Sequence, residues 1–489
     1  MVITIFVIHQ NAWEQQTKAN GNGHVDQARL NRAALDEMRG MQKPPDDFRE
    51  LSVAPKWEDV CTDEEAFIRP NIIKGRFPDV DTYLDIQFRL LREDLYSPLR
   101  DGLSGFKHYL ALPANKNKLP TCIENVRFYH QVQISDFDGK EKNREMNQYL
   151  LKFSIKGLER INWETSKRLL HGSLLCLSSD NFSSLHLFTV SQRFADQLSR
   201  GRVVATLEDS EKLSVKLQRE VYTMAESPVY FEAYRSFLSA LQSISPFHFP
   251  MKKYILGHSL DVKPPRYLRD KVSGHSNTAQ KNYGIYSCLL KYCFLFQIVR
   301  YNFSAVLSPS IEDDEEECTH WNRNSLSSVN LFDLHTRPKS KDLGLDPSQT
   351  EALYAALTQK LAVIQGPPGT GKTFLGLKVV ELLLKNKTFW SQSPRSEPSP
   401  ILVICYTNHA LDQFLEGILK FTQNIVRVGG RSNCESLKAF SLREWNIKHG
   451  GGNRRLYYEA RNEFFISQKY INHISLRKFL GSLFVLFCY

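Results

Sequence analysis

Residues 366–373 have the sequence Gly-Pro-Pro-Gly-Thr-Gly-Lys-Thr, which constrains the fold of this chain more than any other segment. An apolar run, Leu361 to Ile364, precedes it, and an apolar pattern with helical spacing follows from Phe374 to Leu384. Glycines between a buried strand and a helix let backbone N–H groups curl around an anion, and the helix start adds its positive dipole end. The segment therefore predicts a phosphate-binding loop for a nucleoside triphosphate.

Each position of this loop has an expected role. Gly366, Gly369 and Gly371 supply positive φ angles, Lys372 reaches the β- and γ-phosphates, and the Thr373 hydroxyl ligates Mg²⁺. We assign Lys372 and Thr373 as the candidate catalytic residues, Thr373 as the metal ligand, and ATP with Mg²⁺ as the cofactors. The expected nucleotide-binding residues of the loop are Gly366, Pro367, Pro368, Gly369, Thr370, Gly371, Lys372 and Thr373.

Composition limits the kind of protein that carries the loop. With 489 residues, 42% hydrophobic and 24% charged, the sequence predicts a soluble globular chain of about two to four domains. The net charge is +10, and residues 417–489 hold twelve basic residues against four Glu and no Asp. Such an excess suits a polyanionic partner, although a solvated surface gives the same count.

Cysteine usage and apolar runs indicate the compartment. The nine cysteines lack zinc-finger or disulfide-framework spacing, so we expect reduced thiols and no metal beyond the nucleotide-bound Mg²⁺. The apolar end, residues 479–489, is shorter than the about 18 residues that cross a bilayer, so no transmembrane segment is predicted. We expect a cytoplasmic protein, with nuclear or peripheral membrane association as alternatives.

Two further segments narrow the class of nucleotide-binding protein. Gln349 precedes a helical pattern upstream of the loop, where its amide could offer a donor and an acceptor to the adenine edge. A buried strand, Ile401 to Cys405, leads into Asn408-His-Ala-Leu-Asp412 at a helix start. Such a strand end lies on the ligand-bearing edge of a parallel sheet. Taken alone, this second motif could also be a capped helix.

The middle of the chain has a different pattern. Asp81 is a candidate N-cap for a helix that runs to about Tyr96. Five segments then have strand character and suggest a small barrel, which could carry nucleic acid or act as a spacer. The candidate strands are 127–134, 150–155, 173–177, 184–190 and 202–207.

Taken together, Gln349, the 366–373 loop and Asn408 to Asp412 resemble the Q motif, motif I and motif Ia of superfamily 1 helicases of the Upf type. Within that group the chain resembles the NFX-type zinc-finger-containing helicase-like proteins, over about residues 57–431. The segments that carry the second resemblance are Asn71 to Gly75, Tyr83 to Leu95, Thr189-Val190 and Cys405 to Phe414.

The resemblance implies an RNA-associated ATPase with RecA-like domains. Gln349 would contact adenine, and Asn408 and Asp412 would shape the start of the nucleic-acid path. It also implies cytoplasmic roles in RNA surveillance, small-RNA pathways or antiviral defence, with RNA and proteins of RNA-regulatory or antiviral complexes as partners. An AAA-type ATPase shares the loop sequence, but Gln349 and the Asn408 to Asp412 segment have no purpose in that class.

The expected fold is a multi-domain chain with an incomplete α/β P-loop NTPase of the RecA-like, parallel-sheet type, preceded by helical segments and a small β-barrel-like domain. The expected divisions are an N-terminal extension, partly disordered (1–55), a helical region (56–119), a β-rich barrel-like domain (120–225), a helical region with an acidic linker (226–340), a first RecA-like ATP-binding domain (341–434) and a divergent basic tail (435–489).

The sequence also departs from the helicase pattern. No apolar strand closing in Asp-Glu follows Thr373, and no second RecA-like domain or cysteine-rich zinc module is recognisable. We therefore expect the front part of a helicase, from a truncated isoform or an incomplete gene model. Whether this chain hydrolyses ATP stays open, and the alternative function is a catalytically inactive RNA- or protein-binding module.

Overall fold

A computed structural model describes the chain in two compact units. Asp26–Phe249 forms one unit, and Pro250–Tyr489 together with Met1–Val25 forms the other. Residues 25–41, whose sequence pattern predicts a helix, and residues 312–317, an acidic run that predicts a solvated linker, lie outside the described residues. The residues that the structure describes are 4–6, 44–62, 66–73, 75–113, 119–136, 147–208, 219–257, 259–265, 267–268, 300–307, 328–390, 401–405, 407–428, 432, 434–442, 444 and 483–487.

The first two described helices of the first unit are α1 (Trp57–Cys61) and the long α2 (Val80–Ala111). The Asp79 carboxylate caps α2 by accepting a hydrogen bond from the Thr82 backbone N–H at 2.7 Å. The predicted N-cap at Asp81 is therefore wrong, because Asp81 already lies in the first helical turn. At that position its negative charge complements the helix dipole.

The predicted end of α2 near Tyr96 is also wrong. The helix passes through Pro98 and continues for three more turns. Pro98 removes one backbone donor, but apolar side chains continue at helical spacing beyond it and are fully buried. They are Leu99, Leu103 and Phe106. Burial of this stripe outweighs the cost of the proline, which sequence rules treat as a stop.

A closed six-stranded antiparallel barrel completes the first unit, and it confirms the predicted small barrel. The strands of its sheet are β2 (Cys122–Ile123), β3 (Val126–Asp136), β4 (Gln148–Lys152), β5 (Leu174–Ser178), β6 (His186–Gln192), β7 (Arg202–Leu207) and β8 (Tyr222–Glu226). Neighbouring strands run in the order β3-β4-β7-β6-β5-β8 and return to β3, while the short β2 flanks β3. Strands β2 and β8 were not among the candidates.

The barrel closes because β3 has two partners. Its first half pairs with β8, as in Tyr129 opposite Met224, and its second half pairs with β4, as in Gln133 opposite Lys152. The change of partner falls at an irregularity where Gln131 has a φ of 54°. A bulge of this kind bends a strand and so allows a sheet to close on itself. Among the described residues, the helices α3 (Ala195–Leu198) and α4 (Phe231–Ser243) follow barrel strands.

The second unit alternates helices with short strands. The loop at 366–373 lies between β11 (Leu361–Val363) and α8 (Lys372–Lys385). The other elements that the described residues form in this unit are β1 (Thr4–Phe6), α5 (Lys252–Ile255), β9 (Arg300–Tyr301), β10 (Val329–Asn330), α6 (Ser340–Leu343), α7 (Pro347–Thr358), α9 (Lys387–Trp390), β12 (Ile401–Cys405), α10 (Asn408–Leu419), α11 (Glu435–Lys438) and β13 (Leu483–Phe487).

Parallel pairing is present in this unit. Strand β11 pairs in parallel with β1, and β12 pairs in parallel with β13, so the described residues form two separate two-stranded parallel sheets. Helix α10 packs closely on α8, since a Cβ added at Gly417 would lie 2.5 Å from Leu377 Cδ1. Among the described helices, none is both long enough and apolar enough to cross a membrane.

Candidate nucleotide and nucleic-acid site

The candidate nucleotide site is the turn from β11 into α8. Gly369 and Gly371 have φ angles of 81° and 73°, in the left-handed region that glycine adopts without strain. Gly366 differs from the prediction, because its φ is not in that region. Its role is close approach: a Cβ there would lie 2.8 Å from Thr370 Oγ1. The loop thus combines two left-handed glycines with one position that has no room for a side chain.

Lys372 is the first residue of α8, and its side chain folds back over the loop. Its Nζ donates hydrogen bonds to the carbonyl oxygens of Gly366 at 2.9 Å and Pro367 at 2.6 Å. Thr370 Oγ1 donates to the same Pro367 carbonyl at 2.8 Å. The ammonium group therefore lies at the mouth of the loop, where phosphate oxygens could replace these carbonyl acceptors.

Thr373 follows in the first turn of α8 and is half-buried. Its hydroxyl group is thus placed beside the Lys372 ammonium group by the helix itself. A P-loop hydroxyl at this position is the expected Mg²⁺ ligand. The first turn of α8 therefore carries both candidate catalytic side chains.

Gln349 lies against the loop, as the sequence motif requires. Its Nε2 donates to the Thr370 carbonyl at 3.1 Å, and a Cβ at Gly371 would lie 2.8 Å from that nitrogen. Its Oε1 accepts the Asp346 backbone N–H at 3.1 Å, which completes a capping box at the start of α7. The sequence had not indicated either contact. Each end of this amide keeps a second hydrogen-bonding position for a base, because the N–H₂ group has two hydrogens and the oxygen two lone pairs.

Asn408 and Asp412 form a second cluster at the start of α10. The Thr407 side chain caps this helix by accepting the Ala410 backbone N–H at 3.2 Å. Arg427 donates from Nε to Asp412 Oδ1 at 2.6 Å and from a terminal nitrogen to Asn408 Oδ1 at 3.2 Å. The cluster is thus built from one helix turn and a residue after the helix. Asn408 and Asp412 bond to Arg427 rather than to the phosphate loop.

Sequence reasoning missed Arg427 and Ser432. The Ser432 hydroxyl donates to Asp412 Oδ2 at 2.7 Å, so both carboxylate oxygens have donors. The available signal was the charge at Arg427 inside the apolar run Ile425 to Val428. A charged residue in such a run is buried only when it has a partner.

Two ionisable groups on α8 have shifted pKa values. Burial lowers the pKa of Lys378, and the nearby Glu381 carboxylate opposes this shift. Burial raises the pKa of Glu381 against the opposing effect of Lys378. Lys378 Nζ donates to the Val306 carbonyl at 2.8 Å. Lys378 thus anchors the helix behind the loop, and neither group belongs to the phosphate-binding residues.

A cavity of about 900 Å³ lies elsewhere in this unit. Its walls come from α8, β12 and α10 and include Val380, Leu384, Val403, Leu411 and Leu415. None of the residues of the 366–373 loop lines it. We place the nucleotide site at the loop instead, because an anion needs N–H donors and positive charge rather than an aliphatic wall.

Two family profiles match separate parts of the chain. The profile of an AAA domain matches residues 344–455, which contain the loop, Gln349, Asn408 and Asp412. The profile of a ZNFX1 domain matches residues 122–228, which contain the barrel. The chain is thus a P-loop NTPase and a homologue of the superfamily 1 helicases of the Upf type.

Among its relatives is NFX1-type zinc finger-containing protein 1 of Homo sapiens, 39% identical over 406 residues, which are 82% of this chain and 19% of that protein. Helicase required for RNAi-mediated heterochromatin assembly 1 of Schizosaccharomyces pombe is 30% identical over 399 residues, 81% of this chain and 33% of the relative. ATP-dependent helicase upf1 of the same yeast is 43% identical over 107 residues, 22% of this chain and 11% of the relative. The chain therefore spans one third or less of the length of these curated relatives.

Proposed function

We propose that this chain binds ATP and Mg²⁺ as part of an RNA-associated superfamily 1 helicase, in which ATP turnover is stimulated by RNA. The observation that carries the proposal is the turn from β11 into α8, where Lys372 Nζ lies 2.9 Å from the Gly366 carbonyl. The names of several relatives, which include the word helicase, support the class.

Different groups of the loop would bind different parts of the triphosphate and its Mg²⁺. Backbone N–H groups at the start of α8 and the Lys372 ammonium group would bind the phosphate oxygens, while the Thr373 hydroxyl would bind Mg²⁺. Bound Mg-ATP supplies a phosphoryl group whose transfer releases free energy for motion along nucleic acid. Gln349 would contact adenine and would thereby favour ATP.

We also propose a RecA-like arrangement for residues 341–434. The parallel pairing of β11 with β1 and of β12 with β13 supports it, because a RecA-like core is built on a parallel sheet. In such a sheet the loops after β11 and β12 meet at one edge. Asn408 and Asp412 would then form the start of a nucleic-acid path beside the nucleotide.

The test is nucleotide binding by the full chain. We expect Mg-ATP to bind, as measured by calorimetry and with a fluorescent ATP analogue, and Lys372→Ala to weaken binding by about tenfold or more, because it removes a charge-assisted contact. Lys385→Ala is the matched control, since Lys385 is an exposed lysine in the last turn of the same helix. Equal affinities for the wild type and both variants, or no binding by any of them, would overturn the proposal.

A binding module without ATP turnover is the second candidate. The closed barrel favours it, because barrels of this size bind nucleic acids in several unrelated proteins. This candidate would be supported if Lys372→Ala bound RNA as tightly as the wild type and neither the wild type nor the variant hydrolysed ATP. Cytoplasmic location, roles in RNA surveillance, small-RNA or antiviral pathways, and partner proteins from such complexes remain our proposals for the whole protein.

A further inference from the structure

We propose that Arg427 is a positioning residue, which holds the Asn408 amide so that its N–H₂ group faces a nucleic-acid phosphate. The inference rests on the proposed RNA-binding function. It adds a residue outside the three sequence motifs, 19 positions after Asn408 along the chain. Arg427 itself does not touch the nucleic acid.

The guanidinium group is buried and spans one turn of α10. Its side chain is 2% exposed, and it bonds to Asp412 Oδ1 and Asn408 Oδ1 through different nitrogen atoms. Residues four positions apart lie on the same face of a helix. One planar group therefore fixes two side chains of the motif relative to each other.

The chemistry of arginine determines which end of the amide faces outward. A guanidinium group has donors and no acceptor, so only the amide oxygen of Asn408 can face it. Asn408 is exposed, and its Nδ2 has no hydrogen-bond partner among the residues that the structure describes. The free end of the amide is thus a donor, which is what a phosphate oxygen accepts.

Arg427 is held in place by its own backbone and by its partner. Its N–H donates to the Phe440 carbonyl at 2.8 Å, and its carbonyl accepts the Leu442 N–H at 2.9 Å. The Ser432 hydroxyl donates to the free oxygen of Asp412 at 2.7 Å. Because its backbone and its carboxylate partner are both fixed, the guanidinium group can in turn orient Asn408.

A purely structural ion pair is the competing explanation, and a double-mutant cycle separates the two. A structural role alters folding, ATP affinity and RNA affinity whatever residue is at position 408. A positioning role acts on RNA through Asn408, so its effect disappears when Asn408 has been removed. Removing the guanidinium group outright would leave a buried carboxylate unpaired and could unfold the chain, so the conservative Arg427→Lys is used.

The experiment measures the binding of a fluorescein-labelled single-stranded RNA to the full chain by anisotropy. We expect Asn408→Ala and Arg427→Lys each to weaken RNA binding by about tenfold, the scale of one charged hydrogen bond. In the double variant the loss should stay within about twofold of the Asn408→Ala loss. The affinity for the fluorescent ATP analogue should not change. Arg300→Lys, at an exposed arginine of the same unit, is the matched control.

Each contrary result has a distinct meaning. Arg427 does not position Asn408 if Arg427→Lys has no effect on RNA binding. The same follows if Arg427→Lys weakens RNA binding by the same factor in the wild type and in the Asn408→Ala variant. If Asn408→Ala binds RNA as tightly as the wild type, the inference fails while the proposed function stands. If the wild-type chain binds ATP but no RNA, both the RNA part of the proposed function and the inference are overturned. Should Arg427→Lys not fold, Ser432→Ala, which removes one hydroxyl donor from Asp412, replaces it in the same cycle.

Discussion

Glu226 is a buried carboxylate at the end of β8, and it joins three parts of the barrel unit. Its Oε2 accepts the Tyr129 hydroxyl at 2.7 Å, and its Oε1 accepts the Leu169 backbone N–H at 2.6 Å. The Arg127 guanidinium group lies 3.5 Å away. Burial raises the pKa of Glu226 above its usual 4.5, although these three partners oppose the shift. One side chain thus stabilises β3, β8 and the segment before β5, at an electrostatic cost.

The raised pKa predicts a pH-dependent stability. Above pH 4.5 the unfolded chain releases this proton more readily than the folded chain, so the contribution of Glu226 to stability falls as the pH rises toward the folded pKa. Glu226→Gln stays neutral at every pH. We therefore expect the free energy of unfolding of the wild type, minus that of Glu226→Gln, to decrease in urea titrations as the pH rises above about 4.5.

Glu164→Gln, at an exposed carboxylate of the same unit, provides the baseline for the Glu226 measurement. A wild-type-minus-variant difference for Glu226→Gln that rises with pH, or that matches the Glu164→Gln curve, would contradict the assignment.

For single residues, the sequence predicts side chains whose contacts lie within one local segment. It misses side chains whose partners are distant along the chain. Lys372 and Thr373 follow from the loop itself. Arg427 does not, because its partner Asp412 is 15 positions earlier, and pairing across that distance depends on the end of α10 and the return of the chain. Gly366 was predicted to supply a positive φ, but the structure requires glycine there because a Cβ would contact Thr370. The sequence does not show such a contact, because it exists only in the folded loop.

Compact strands were predictable within a few residues, whereas the far end of α2 was not, because the helix continues past Pro98 to Ala111 instead of ending near Tyr96. Strands β7 and β12 begin and end where expected, at Arg202–Leu207 and Ile401–Cys405. The closure of the barrel was predicted only as a class of fold. Its bend at Gln131 uses a left-handed residue that is not glycine, so no local signal marks it.

The start of α7 permits a test that separates helix capping from nucleotide selection. Asp346 and Gln349 share one capping box, but only Gln349 also reaches the Thr370 carbonyl of the loop. We expect Asp346→Ala to lower stability by about 1 kcal/mol without changing ATP affinity. Gln349→Ala should weaken ATP binding and reduce the preference for ATP over GTP, because the amide matches adenine. Binding titrations with both nucleotides measure the preference.

Two results would contradict a role of Gln349 in nucleotide selection. An equal loss for ATP and GTP in Gln349→Ala would mean that the glutamine only supports the loop. A loss of ATP affinity in Asp346→Ala as large as in Gln349→Ala would assign the effect to the helix cap.

For the whole molecule, the net charge follows from the sequence alone, and the salt dependence of RNA affinity measures its effect on binding. The formal net charge is +10, and the basic excess follows the phosphate loop along the chain. Cationic side chains that contact phosphates release condensed counterions, so affinity falls with salt in proportion to the number of contacts. Asn408 is neutral and releases none.

We therefore expect RNA binding by the full chain to weaken steadily between about 50 and 200 mM salt, with a linear plot of log affinity against log salt. Asn408→Ala should lower affinity at every salt concentration and leave the slope unchanged, because no ionic contact is lost. Anisotropy titrations of both proteins over the same salt series measure this. An affinity independent of salt would exclude phosphate recognition by cationic side chains. A smaller slope in Asn408→Ala would mean that the substitution moves the RNA away from cationic groups rather than removing one amide contact.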